Sequence, residues 1–143
     1  MAYSGECSCG AVKVRIDAEP LTVRQCWCRR CQKIAAGGPT HNAIFPTESI
    51  VADGLLASDS YIADSGNTLT RWHCAACGTP MFSASSARPQ LRVVRLGVLD
   101  GSHGLKPTVA IWTSEAPDWA IIDPSMDQFP GQPPAPPPQN CRN

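Results

Sequence analysis

A chain of 143 residues is of single-domain size, long enough for a real core and well short of the length at which chains divide. Its 12 lysines and arginines balance its 12 aspartates and glutamates, so it has neither the basic stripe of a nucleic-acid binder nor an acidic solvating tail. Apolar runs such as Ala120-Ile121-Ile122 are far too short to span a bilayer, which leaves 8 cysteines as the feature to explain.

The stretch before the first cysteine, Met1 to Glu6, carries no basic segment, apolar run or small-residue cleavage site, which predicts a cytoplasmic protein with reduced thiols. After Cys7-x-Cys9, residues 11–17 alternate apolar and charged side chains, the period of a strand with one wet face and one dry face. Residues 21–25 lead the same way into Cys26-x-Cys28-x-x-Cys31, and Gly37-Gly38-Pro39 breaks the chain after it. Residues 43–46, 49–54, 60–63 and 68–73 are short β-prone runs bounded by turn residues, a spacing that favours an antiparallel meander. Cys74-x-x-Cys77 follows. Residues 91–99 form the strongest strand pattern, ending at Asp100-Gly101, and residues 110–112 add another.

No window sustains a helical stripe, and residues 118–122 have room for one turn at most. The predicted fold is mainly β, with one domain over residues 1–129. Beyond Phe129 the prolines cannot donate the hydrogen bonds of a sheet or helix, so residues 130–143 read as a disordered or extended tail carrying Cys141.

The cysteine spacing argues for metal rather than disulfides. Cysteines one residue apart on a strand point to the same face and bridge poorly, whereas reduced thiols at these spacings suit zinc. Structural zinc is closed by four protein ligands, and catalytic zinc keeps three plus an open position. The outer pairs Cys7, Cys9 and Cys74, Cys77 make a closed set, while Cys26, Cys28 and Cys31 make an open one. A closed middle set would need a fourth ligand from His41, His73, His103, Cys141 or a carboxylate. Arg29, Arg30 and Lys33 lie beside the middle set and are candidates for binding a substrate carboxylate. Trp72, Trp112 and Trp119 are core residues or cleft lining, and no general base stands out among the three histidines.

Four segments together resemble a known family: Gly5-x-Cys7-x-Cys9-Gly10-x-Val12, Cys26-x-Cys28-x-x-Cys31-Gln32-Lys33, Arg71-x-x-Cys74-x-x-Cys77-Gly78-Thr79 and Gly97-x-Leu99-Asp100. The pattern resembles the glutathione-dependent formaldehyde-activating enzyme family, which shares its domain with centromere protein V. The resemblance implies a metal-pinned beta-tent of short antiparallel strands and two zinc ions per chain. It implies structural zinc at Cys7, Cys9, Cys74 and Cys77 and catalytic zinc at Cys26, Cys28 and Cys31. The implied activity is that of a carbon–sulfur lyase or synthase joining glutathione, or a similar small thiol, to formaldehyde, with neither nucleic acid nor membrane as partner. Trp27 stands where the family often has histidine, and Arg29 where a small polar residue is expected. The alternative class is a zinc-stabilised protein-binding module with both sets closed.

Overall fold

Alternation decides the first two strands: β1 (Tyr3–Glu6) and β2 (Lys13–Ile16) bury every second residue, and together with β5 (Ile50–Asp53) they form a three-stranded antiparallel sheet. The computed structural model describes residues 2–134, so Cys141 and the predicted tail from Ala135 onward lie outside the described residues.

The larger sheet has eight strands. They are β3 (Thr22–Cys26), β4 (Thr40–Pro46), β6 (Leu56–Ile62), β7 (Thr68–Cys74), β8 (Pro80–Ser85), β9 (Leu91–Arg95), β10 (Val109–Ile111) and β11 (Asp127–Gln128), in the order β11-β10-β3-β4-β9-β8-β7-β6. The run from β6 to β9 is the expected meander, each strand antiparallel to the next. The mainly β fold of short antiparallel strands holds, with one addition: β10 runs parallel to both β3 and β11. Parallel neighbours need a long connection: residues 112–126 link β10 to β11, and residues 27–108 separate β3 from β10.

The two faces of the large sheet differ in content. Val23, Ala43, Phe45, Phe82 and Val94 face the small sheet and form the core with Tyr3, Val12, Val14, Ile16, Val98 and Leu99. Fully buried side chains such as Phe45, Phe82, Ile16 and Met81 each stabilise the fold by roughly 1.5–3 kcal/mol relative to exposure. Residues directly opposite across paired strands share a face, so the registers place Cys26 with Thr40, Asn42 with Arg95, and Asp59 with Arg71 on the other side.

Three local features depart from the sequence pattern. A six-residue helix, α1 (Arg29–Ile34), forms inside the middle cysteine motif, where the Cys28 sulfur caps it by accepting the Cys31 N–H. The predicted strand 91–99 stops at Arg95 and tightens into a 3₁₀ turn at Leu96–Val98, closed by Leu99 N–H on the Leu96 carbonyl. Past β11, Phe129 N–H donates to the Ala110 carbonyl at 2.9 Å, and the Pro130 and Gly131 carbonyls accept from Ser114 and Trp112. Pro130 serves as an acceptor only, as its missing N–H requires.

Candidate metal centres

The first centre sits where the two sheets meet. Cys7 follows β1, Cys74 ends β7, and both are buried within the core, whereas Cys9 and Cys77 lie at the surface. All four sulfurs lie within 4.8 Å of one another, with Cys7 to Cys9 at 3.6 Å and Cys9 to Cys74 at 3.9 Å. Backbone N–H groups converge on them: Val12 on the Cys7 sulfur at 3.2 Å and Cys77 on the Cys74 sulfur at 3.4 Å.

The second centre gathers Cys26 from the end of β3, Cys28 from the helix cap and Cys31 from α1, again with all sulfurs within 4.8 Å. Here too the sulfur of the first cysteine in Cys-x-x-Cys accepts the N–H three residues on, Cys31 to Cys28 at 3.3 Å. Both motifs therefore use the same turn. Among the described residues no fourth ligand joins these three. Of the histidines proposed for that place, His41 bonds Gln25 through Nε2, and His103 accepts the Leu105 N–H through Nδ1. His73 lines a cleft described below.

Both donor sets fit zinc. Tetrahedral zinc with sulfur at about 2.3 Å sets neighbouring sulfurs about 3.8 Å apart, close to the 3.6 and 3.9 Å of the first centre and far longer than a disulfide. The thiols also share protons as a metal-ready set does. Cys31 is drawn down to about 3 by hydrogen bonds with Cys26 and Cys28, with help from the Thr40 hydroxyl and the Arg95 charge. Cys26 is pushed up, by hydrogen bonding to Cys28 and Cys31 and by burial. At the first centre Cys77 is drawn down to about 5, chiefly by the Thr79 hydroxyl. A bound cation takes the place of the protons that such a set retains.

Cationic side chains lie beside the three-cysteine centre. Arg29, Arg30, Lys33, Ile34 and Arg71 line an open cleft of about 460 Å³. The Arg30 guanidinium stacks 3.8 Å from the Tyr61 ring centroid, and Arg71 lies 5.1 Å from the same centroid. Arg71 donates through Nε to Asp59 at 3.1 Å, while Arg29 turns back to Gln32 at 2.6 Å. A second cleft of about 350 Å³ shares Ile34 and Arg71 and continues past His73, Trp72 and Arg95 to Gly78 and Pro80.

Tyr61 and Arg95 belong to this neighbourhood without a sequence motif of their own, and Arg71, the head of the Arg71-x-x-Cys74 motif, joins them. Their signal lies in strand register: Asp59 faces Arg71 and Asn42 faces Arg95, on the sheet face that carries Cys26. Of the tryptophans, Trp72 lines the second cleft and packs on the core, while Trp119 is exposed. Trp27 is buried, its Nε1 donating to Gln25 Oε1 at 2.9 Å. No helix among the described residues is long and apolar enough to cross a membrane.

Comparison with known proteins adds three findings. Residues 2–115 match the family described as "Glutathione-dependent formaldehyde-activating enzyme". A Halomonas elongata protein named "Putative glutathione-dependent formaldehyde-activating enzyme" is 27% identical over 129 residues, spanning 86% of this chain and 82% of that protein. A crystal structure of a Rhodobacter sphaeroides protein shares the fold, with a TM-score of 0.54 at 22% identity over 73% of this chain and 91% of the other.

Proposed function

This chain belongs to the glutathione-dependent formaldehyde-activating enzyme family, and on that premise we propose that it is a zinc-dependent carbon–sulfur lyase or synthase acting on a thiol–aldehyde adduct, of the S-(hydroxymethyl)glutathione synthase type. The observation that carries this reading is an asymmetry of donors. Among the described residues one thiol group has four members, and the other has three and lies beside a cationic cleft.

In this reading Cys7, Cys9, Cys74 and Cys77 hold a structural ion, and Cys26, Cys28 and Cys31 hold the ion of an open site. Zinc bound by the latter supplies a Lewis-acidic position that favours the thiolate form of an incoming thiol. Arg30 and Lys33, with Arg71 beside them, attract and orient the carboxylates of a glutathione-like substrate, Arg as a fork and Lys as a point charge. Arg29 lines the same cleft but is already engaged by Gln32, so its contribution is mainly to the potential.

In the synthetic direction sulfur forms a bond to the aldehyde carbon, the carbonyl π bond breaks, and the proton lost by the thiol ends on the new hydroxyl oxygen. The lytic direction is the reverse. A cytoplasmic setting with reduced thiols suits this chemistry.

The test is zinc content with X-ray absorption on the purified protein, together with turnover of a panel of thiols and aldehydes corrected for spontaneous adduct formation. Two ions per chain, one of them with three sulfurs and an exchangeable light atom, plus turnover above background, are expected. Two closed four-sulfur sites without turnover would point to a zinc-stabilised binding module instead.

A further inference from the structure

Arg95 is half-buried on the sheet face that carries Cys26, and among the described residues it makes no ion pair with a carboxylate. Its Nη1 donates to Asn42 Oδ1 at 2.6 Å, across the β4–β9 register, and its Nε is buried without a partner. The sulfurs of Cys31, Cys26 and Cys28 lie around it. A guanidinium so placed has cysteine sulfurs where a carboxylate would normally stand.

From Asn42 the polar chain continues. Asn42 Nδ2 donates to Thr40 Oγ1 at 2.9 Å, both residues are buried, and the Thr40 hydroxyl in turn meets the Cys31 sulfur. The direction of every bond is forced. An arginine can only donate, so Asn42 must present its oxygen to Arg95 and its nitrogen to Thr40. Thr40 Oγ1, having accepted that bond, has its own hydrogen free to donate to sulfur. Strand geometry supplies the spacing: Thr40 and Asn42 are two residues apart on β4, hence on one face, and Thr40 lies opposite Cys26.

We propose that Arg95, Asn42 and Thr40 form a positioning relay that orients the Thr40 hydroxyl onto Cys31 and so fixes that sulfur for metal. The proposal rests on the reading of Cys26, Cys28 and Cys31 as a metal centre. It assigns Arg95 to holding the ligand set rather than to substrate, although the residue also lines the second cleft. Outer hydrogen-bond partners of this kind commonly change metal affinity 10- to 100-fold when removed.

The test uses the zinc-loaded full chain and measures zinc release to a chromogenic chelator for the wild type, Thr40→Val, Thr40→Ser, Arg95→Met and the Thr40→Val/Arg95→Met double variant, with melting curves as a folding control. The expected result is release from one of the two sites accelerated about tenfold or more by Thr40→Val, restored by Thr40→Ser, and not further accelerated by adding Arg95→Met. Cobalt substitution should show a matching change in the sulfur-to-metal charge-transfer band. Equal behaviour of Thr40→Ser and Thr40→Val, or multiplicative effects in the double variant, overturns the relay. So does an Arg95→Met variant that raises KM for an anionic thiol with zinc release unchanged. A wild type that binds a single zinc ion overturns both the relay and the metal reading beneath it, whereas two ions with unaltered release in Thr40→Val overturns the relay alone.

Discussion

A Cβ placed on Gly5 would stand 2.0 Å from the carbonyl oxygen of Val98. The contact belongs to a wider seam: Gly5 bridges to Leu99, Asp100 N–H donates to the Ser4 carbonyl at 2.8 Å, and Ser4 Oγ donates to Asp100 Oδ2 at 2.5 Å. Two motifs about ninety residues apart, Gly5-x-Cys7-x-Cys9 and Gly97-x-Leu99-Asp100, are thus one packed unit.

Gly5→Ala should therefore destabilise the fold by about 3 kcal/mol, the upper range for overpacking, since the obstructing atom is backbone and cannot swing aside. Urea denaturation measures it. Because the seam also sets where Cys7 and Cys9 emerge, the variant should lose zinc from the four-cysteine centre more readily. A midpoint unchanged from wild type would show that the two motifs can separate without cost.

Cysteine removal should separate the two centres. Cys74 is 1% exposed and ties β7 into the core between the sheets, so Cys74→Ser should cost about 4 kcal/mol or more and reduce soluble yield. Cys28, half-buried at a helix cap, should leave most of the melting temperature intact when changed to Ser while abolishing turnover. Differential scanning calorimetry with zinc analysis on both variants checks the contrast. Equal collapse of both would mean that the centres do not divide their labour.

The alkaline limb of stability should depend on Tyr3. Its hydroxyl donates to Glu19 Oε2 at 2.5 Å, and that bond, with burial, raises its pKa above the ordinary 10.0. A raised pKa means the folded state favours the protonated phenol, so the contribution is complete below pH 10 and is lost as pH rises through the folded value. Tyr3→Phe keeps the ring that packs 5.8 Å from Phe45 and removes this dependence. Urea midpoints between about pH 8 and pH 12 should fall more steeply in the wild type than in the variant. Parallel curves would contradict the assignment.

Charge in the cleft should appear in KM. Arg30→Ala and Lys33→Ala should each raise KM for a carboxylate-bearing thiol about tenfold, the worth of one charge-assisted hydrogen bond, with kcat little changed. An uncharged thiol such as 2-mercaptoethanol should be nearly indifferent to both changes. Steady-state kinetics at two salt concentrations decides the matter, and equal effects on both thiols would place these residues outside substrate binding.

Much of this molecule could be read from its residues because the decisive signals are local. Alternation marked β2, and Cys-x-x-Cys spacing marked both thiol groups, since a single turn brings such sulfurs together whatever the rest of the chain does. Helix α1 escaped notice because six residues are too few for a periodic stripe and its cap is a sulfur rather than the usual hydroxyl or carboxylate. Strand β8 begins at a proline and buries Met81, Phe82 and Ser83 in succession, leaving no alternation to see. Tyr61 and Arg95 join the site only through pairing across the sheet, which no single stretch of sequence records.

The contrast between the two sides of the eight-stranded sheet has an evolutionary corollary. Val23, Phe45, Phe82 and Val94 answer to packing, while Arg71, Asp59, Tyr61 and the thiol-bearing end of β3 occupy the reverse side of the same ribbons. Exchanging a cleft residue therefore leaves its neighbours two positions earlier and later free to adjust without disturbing the interior. Relatives built on this scaffold can diverge in the residues of the cleft while inheriting an unaltered foundation.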